Sequence, residues 1–177
     1  MVTVAKQVGW RFAGALILAH ETGHRIGAIL KLRWADVDLD KRRIVWRKES
    51  DKMGFEHETP LSDQAANALK ELRENNPGIS EAWVFPYPGH DSRPTCRFLA
   101  RQWWHRAEKI AGLSHIDGLG WHGLRRKFAT ELKHMPLKDL SQLGGWKATK
   151  TVLDCYQKAD EDTMRTALQE RGRVARK

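Results

Sequence analysis

Cysteine and tyrosine are scarce in this 177-residue chain, and each occurs only twice. Cys96 and Cys155 form no C-x-x-C pair, which argues for a reducing compartment and against a disulfide framework or a zinc ribbon. The longest apolar run, residues 12–19, is too short to span a bilayer and is not followed by a signal-peptide cleavage site. We therefore expect a cytoplasmic protein with no membrane partner.

Positive charge is in excess. The chain has 31 Lys and Arg against 22 Asp and Glu, which gives a formal net charge of +9. A soluble domain of this size and charge is expected to meet a polyanion, and nucleic acid is the commonest one. A solvated basic surface on an unrelated enzyme is the alternative.

Apolar residues recur at helical spacing through most of the chain. Helices are predicted over about 8–20, 63–75, 95–111, 121–134, 137–143, 149–156 and 160–175. The alternation in residues 43–48 and the returning residues 56–61 predict a β-hairpin with Lys52 at or near its tip. The expected fold class is therefore mainly α with a small antiparallel β-sheet.

Three finer predictions concern a loop, the inner face of one helix and the tryptophans of the core. Residues 86–94 are rich in Pro, Gly and Asp and are expected to form a loop. Phe98, Trp103 and Ile110 are expected on the inner side of the helix over residues 95–111. The tryptophans assigned to the core are Trp34, Trp46, Trp83, Trp103 and Trp121.

Residues 20–24 match the H-E-x-x-H pattern of zinc peptidases. On a helix His20 and His24 would share a face and could hold one zinc ion while Glu21 activates water. Five residues with three fixed positions match by chance fairly often. A helix end whose histidines lie beside Arg25 is the alternative.

A second set of residues indicates chemistry on a phosphodiester. His122 and Arg125 precede Tyr156, one of the two tyrosines, and Arg25 and Lys52 lie upstream. Arginine binds phosphate oxygens through a planar fork, and a tyrosine hydroxyl can serve as a covalent nucleophile. The set therefore suggests cleavage of DNA, although each residue could also have a purely structural role.

Four motifs occur in order along the chain. They are residues 22–26 (TGHRI) with 32–38 (LRWADVD); Lys52, eight residues before Pro60; residues 122–130 (HGLRRKFAT); and residues 143–146 (LGGW) with 153–156 (LDCY). Over about residues 8–170 the chain therefore resembles the tyrosine recombinases, which include the phage integrases. The resemblance implies the catalytic-core fold shared with type IB topoisomerases, and site-specific cleavage and rejoining of DNA.

The resemblance implies a role for each of six catalytic residues, Arg25, Lys52, His122, Arg125, Trp146 and Tyr156. Tyr156 would attack phosphorus, form a 3′-phosphotyrosyl link and free a 5′-hydroxyl. The two arginines would clamp the phosphate, Lys52 would protonate the leaving oxygen and His122 would assist. Trp146 stands where many members have histidine, and its indole N–H can donate a hydrogen bond to a phosphate oxygen but cannot shuttle protons.

The resemblance also implies partners. The phosphotyrosine retains the bond energy, so no ATP, metal or other cofactor is expected. Double-stranded DNA is the expected partner, with backbone phosphates near Lys48, Arg126, Lys147 and Lys150. We expect a monomer in isolation and a homo-oligomer, up to a tetramer, on DNA.

Residues 1–177 are expected to be a single catalytic domain, with 160–177 as a helical tail and without the N-terminal DNA-binding domain of the family. Ala28 stands three positions after Arg25, where the family usually has an acidic residue that orients the site. A DNA-binding remnant without catalysis therefore stays open as an alternative. So does DNA relaxation of the type IB topoisomerase kind.

Overall fold

The computed structural model describes residues 2–50, 54–156 and 160–174. Its helices are α1 (Ala5–Val8), α2 (Trp10–Thr22), α3 (Ile26–Ile29), α4 (Asp63–Asn75), α5 (Arg97–Ile110), α6 (Trp121–Glu131), α7 (Leu137–Leu143), α8 (Thr149–Cys155) and α9 (Glu161–Val174). Its strands are β1 (Val37–Asp38), β2 (Arg43–Trp46), β3 (His57–Pro60), β4 (Pro86–Tyr87) and β5 (His90–Pro94). The fold class is mainly α with small antiparallel sheets, as the sequence predicts.

Helix α2 is the centre of the main core. It packs against α4 so closely that a Cβ atom on Gly14 would lie 2.6 Å from the Leu72 side chain. The helix ends because Gly23 adopts a left-handed conformation with φ 65°, and the Gly23 N–H closes the last turn on the Ala19 carbonyl. The chain leaves α2 at this point and starts the segment that carries Arg25.

The predicted hairpin is confirmed, and it belongs to a three-stranded antiparallel sheet in the order β1-β2-β3. In its register Trp46 lies opposite His57. Side chains at alternate positions point to one face, so Ile44 and Trp46 are both buried. The core therefore continues from α2 onto one face of this sheet.

The prediction of a loop over residues 86–94 is wrong, because strands β4 and β5 pair there as a second hairpin. The turn between the strands contains Gly89 at φ 75°. Pro86 and Pro94 lie opposite each other at the end of the ladder, a position where a strand tolerates residues without an N–H. Pro and Gly therefore bound short strands here.

Helix α4 begins as predicted, since the Ser62 hydroxyl accepts a hydrogen bond from the Ala65 N–H at 3.2 Å. The predicted inner face of α5 is correct for Trp103, which packs against the core, and wrong for Phe98 and Ile110, which are 69% and 39% exposed. The buried residues of this helix are Ala100, Trp104, Ala107 and Glu108. Small and charged residues on this face give a weak apolar signal in the sequence.

Of the tryptophans assigned to the core, Trp34 and Trp46 are buried, whereas Trp83, Trp103 and Trp121 are half-buried. The last three therefore line the boundary of the core.

Among the described residues, no helix combines the length and the apolar character needed to cross a bilayer.

Candidate active site

The starts of α3, α5 and α6 together form a cleft of about 190 Å³. Its lining residues are Arg25, Ile26, Gly27, Arg97, Trp121, His122 and Arg125. Arg25 immediately precedes α3 with extended backbone, φ −63° and ψ 137°. His122 and Arg125 lie three residues apart on α6, so they share one helix face. Three of the predicted catalytic residues therefore meet in one place.

Arg125 is 1% exposed, and backbone carbonyls hold its guanidinium group. Nη1 donates to the Gly23 carbonyl at 2.6 Å and to the Gly144 carbonyl at 2.5 Å, and Nη2 donates to the Gly145 carbonyl at 3.4 Å. These bonds join the turn after α2 to the turn after α7. A cation fixed by preorganised dipoles needs little reorganisation when negative charge develops beside it.

Trp146 supports Arg125 from the other side. The Arg125 Cζ atom lies 3.8 Å from the centroid of the Trp146 ring, a cation–π arrangement. Trp146 is 3% exposed, and its Nε1 has no hydrogen-bond partner among the described residues. A buried N–H without an acceptor is unfavourable by about 1–3 kcal/mol unless a ligand accepts it. Its predicted bond to a phosphate oxygen stays a prediction.

Tyr156 lies directly after α8, and its N–H closes the helix on the Val152 carbonyl. The Tyr156 hydroxyl lies 3.4 Å from His122 Nε2. The Tyr156 ring centroid is 5.4 Å from that of Trp146 and 5.9 Å from that of His122. The predicted nucleophile therefore lies beside two other predicted catalytic residues.

The electrostatic environment keeps His122 neutral. Partial burial lowers the pKa of His122 below its ordinary value of 6.5, and the positive charges of Arg126, Arg125 and Arg25 lower the pKa further. A neutral imidazole can accept a proton from a phenol. The pair can therefore activate Tyr156 near neutral pH.

The remaining predicted residues are more dispersed. Lys52 lies outside the described residues, in the connection between β2 and β3. Lys48 is exposed just after β2, and Lys147 and Lys150 are exposed around the start of α8. Arg126 is exposed on α6 and donates to the Gly118 carbonyl at 2.6 Å. Their contacts with DNA phosphates stay predictions.

The zinc-peptidase hypothesis is wrong for residues 20–24. Helix α2 ends at Thr22, so His24 is outside it and does not share a helix face with His20. His24 Nε2 faces His57 Nε2 at 2.9 Å, whereas His20 Nδ1 faces Glu21 at 2.9 Å. The two imidazoles do not converge because Gly23 turns the chain.

Two residues near the site were not identified from the sequence. His57 is 7% exposed, and a Cβ atom on Gly145 would lie 2.9 Å from its ring and 2.8 Å from His24 Nε2. Arg97 begins α5 and covers Gly27, where a Cβ atom would lie 2.6 Å from Arg97 Nε. Nothing local in the sequence indicated that these two side chains pack against Gly145 and Gly27.

Comparison with known proteins agrees with this geometry. A family model described as the phage integrase family matches residues 2–163. The integrase of Salmonella phage P22 is 29% identical over 146 residues, covering 76% of this chain and 36% of that protein. Prophage integrase IntF of Escherichia coli (strain K12) is 30% identical over 148 residues, covering 81% of this chain and 30% of that protein. The chain therefore spans about a third of the length of these relatives.

A solved structure gives the same result for the fold. The Tn1549 transposon integrase, in complex with a circular intermediate DNA, matches with a TM-score of 0.76 and 16% identity, covering 96% of this chain and 62% of that one. The chain belongs to the phage integrase family.

Proposed function

We propose that this chain cleaves and rejoins DNA in site-specific recombination through a covalent link at Tyr156. The observation that carries the proposal is the 3.4 Å contact of the Tyr156 hydroxyl with His122 Nε2. His122 and Arg125 lie on the same face of α6. A nucleophile, a neutral base and a fixed cation are the groups that phosphoryl transfer to a protein needs.

The step balances without any cofactor. The Tyr156 oxygen attacks phosphorus and passes its proton to His122, while the bond from phosphorus to the 5′-oxygen of the next nucleotide breaks. Arg25 and Arg125 stabilise the negative charge on the non-bridging oxygens. Lys52 is our candidate for the acid that protonates the leaving 5′-oxygen. The reverse sequence rejoins the strand.

Double-stranded DNA is the partner that this chemistry requires. The net charge of +9 and the exposed Lys147 and Lys150 beside the turn that holds Arg125 favour it. The structurally similar transposon integrase is itself a DNA complex. We propose that the chain acts in the cytoplasm. We also propose that it is a monomer in isolation and forms a homo-oligomer on DNA.

A suicide substrate tests the proposal. A duplex nicked next to the scissile phosphate loses the 5′-hydroxyl strand after cleavage and therefore traps the covalent adduct. The duplex sequence is one that the chain itself selects from a pool of random duplexes by binding at low salt. We expect an adduct with the unmodified chain and none with Tyr156→Phe, which keeps the ring but removes the hydroxyl. The proposal is contradicted if the unmodified chain forms no adduct at low salt. In a separate assay, relaxation of supercoiled plasmid without exchange between two sites would indicate a topoisomerase.

A further inference from the structure

Away from the cleft, two histidines share one carboxylate. Glu108 lies in the last turns of α5, and its Oε2 is 3.1 Å from His105 Nδ1 and 2.9 Å from His115 Nδ1. One ligand atom from each residue lies within 4.8 Å of those of the other two. We call His105, Glu108 and His115 the two-histidine cluster.

The carboxylate of this cluster is built into the fold. Glu108 is 7% exposed, and its Oε1 accepts a hydrogen bond from Trp104 Nε1 at 2.8 Å. Burial alone would raise the pKa of Glu108, but hydrogen bonds from His115, His105 and Trp104 outweigh it and lower the pKa. The cluster therefore holds a fixed negative charge between two nitrogen ligands.

We propose that the two-histidine cluster binds a divalent metal ion of the zinc class through His105 Nδ1, Glu108 Oε2 and His115 Nδ1. Two imidazoles and one carboxylate are a ligand set that zinc accepts, with a fourth position for water. Ligand distances of about 2.1 Å in a tetrahedral site place ligand atoms about 3.4 Å apart. The two separations from Glu108 Oε2, 3.1 Å to His105 Nδ1 and 2.9 Å to His115 Nδ1, need only small shifts.

Neighbouring groups can also hydrogen-bond the parts of His115 and Glu108 that do not bind the ion. Asp117 Oδ1 lies 3.3 Å from His115 Nε2, so the Nε2–H can donate to a carboxylate while Nδ1 binds the ion. Such a partner orients a ligating histidine and raises its basicity. The Trp104 N–H holds the other oxygen of Glu108 and leaves Oε2 for the ion.

Binding of the ion at His105 Nδ1 also requires a change at the other nitrogen of this ring. Arg101 Nε lies 3.3 Å from His105 Nε2 and donates to it. Ligation through Nδ1 moves the His105 proton to Nε2, and the exposed Arg101 turns towards solvent.

The ion would fix the connection between α5 and α6. His115 belongs to residues 111–120, which lead from α5 to the helix that carries His122 and Arg125. Leu113, Ile116 and Leu119 in this connection are about half exposed, so few buried apolar contacts hold it. The role is structural, and it stands whether or not the proposed recombination is confirmed.

Titration of the metal-free full-length chain with Zn²⁺ against a chromophoric chelator tests the proposal. We expect one ion per chain, with affinity at least about 10-fold weaker in His115→Asn and in Glu108→Gln. His20→Asn and His134→Asn, which change histidines outside the cluster, should bind like the unmodified chain. Loss of binding in His20→Asn but not in His115→Asn would overturn the proposal, as would no binding at micromolar Zn²⁺.

A spectroscopic measurement on the unmodified chain avoids dependence on variants that fold poorly. Co²⁺ in a tetrahedral nitrogen–oxygen site gives visible absorption bands, which added Zn²⁺ should remove at one equivalent. Mg²⁺ and Ca²⁺ prefer oxygen ligands and should not compete. The site is contradicted if Co²⁺ gives just the weak spectrum of an octahedral ion and this spectrum is unchanged in His115→Asn.

Discussion

The Tyr156 hydroxyl lies 3.4 Å from His122 Nε2, and this contact predicts the pH dependence of strand cleavage. His122 must be neutral to accept the phenol proton, so the rate should rise with pH through the pKa of His122. Since partial burial and three arginines lower that pKa, the midpoint should lie below 6.5. Single-turnover cleavage rates measured from about pH 5 to 8, the range in which histidine titrates, give this midpoint. A rate independent of pH, or a midpoint above the ordinary value, contradicts this role.

The buried guanidinium of Arg125 should matter for stability as well as for cleavage. Arg125→Lys keeps the charge, but a single ammonium cannot reproduce the planar fork that reaches the carbonyls of Gly23, Gly144 and Gly145. We expect the free energy of unfolding to fall by about 2–3 kcal/mol, because buried acceptors lose their donors. Urea denaturation measures this loss. Arg126→Lys, at an exposed neighbour, should change stability by less than about 0.5 kcal/mol, and equal effects of the two substitutions would contradict the account.

Gly145 and Gly112 form a matched pair for testing the packing beneath the site. Both have left-handed backbone, with φ 66° and 65°, so alanine strains the backbone equally at each. At Gly145 the new Cβ atom would also lie 2.8 Å from His24 Nε2, whereas at Gly112 it would meet nothing within 4 Å. Gly145→Ala should therefore cost about 1–3 kcal/mol more stability than Gly112→Ala, measured by urea denaturation. Equal losses would show that the contact with His24 is unimportant.

Burial of His24 makes a prediction for stability at low pH. Burial lowers the pKa of His24 well below 6.5, and His57, Arg125 and Arg25 lower it further against the opposing Thr22 carbonyl. Below the ordinary pKa the unfolded chain binds a proton at His24 that the native chain does not bind. The free energy of unfolding should therefore fall as pH decreases, by up to about 1.4 kcal/mol per pH unit from this group. His24→Gln should flatten the dependence of the unfolding free energy on pH between about pH 7 and 5, the range in which histidine titrates. His134→Gln, at an exposed histidine, should not. Parallel curves for the unmodified chain and His24→Gln would contradict the account.

Local signals in the sequence were sufficient for part of the molecule. The apolar spacing predicted α4, and the four motifs predicted that Arg25, His122 and Arg125 would share a site. The predicted roles of the exposed lysines and of Lys52 stay predictions.

What the sequence did not predict depends on contacts between distant segments. The buried face of α5 combines Ala100 and Ala107 with Trp104 and the charged Glu108, and this mixed face gives a weaker apolar signal than Phe98 and Ile110 do. His57 lies beneath Gly145 only because β3 packs beside the turn after α7. The carbonyls that bind Arg125 are backbone atoms and have no sequence signature.

Identification of the residue that becomes bonded to DNA tests the central claim most directly. After reaction with the suicide substrate, nuclease and trypsin digestion should leave a nucleotide remnant on the peptide of residues 151–158, which contains Tyr156. The only other tyrosine, Tyr87, lies in the β4–β5 hairpin and provides an internal control. Tandem mass spectrometry should place the added mass on Tyr156. A remnant on Tyr87 or on any other residue would contradict the account.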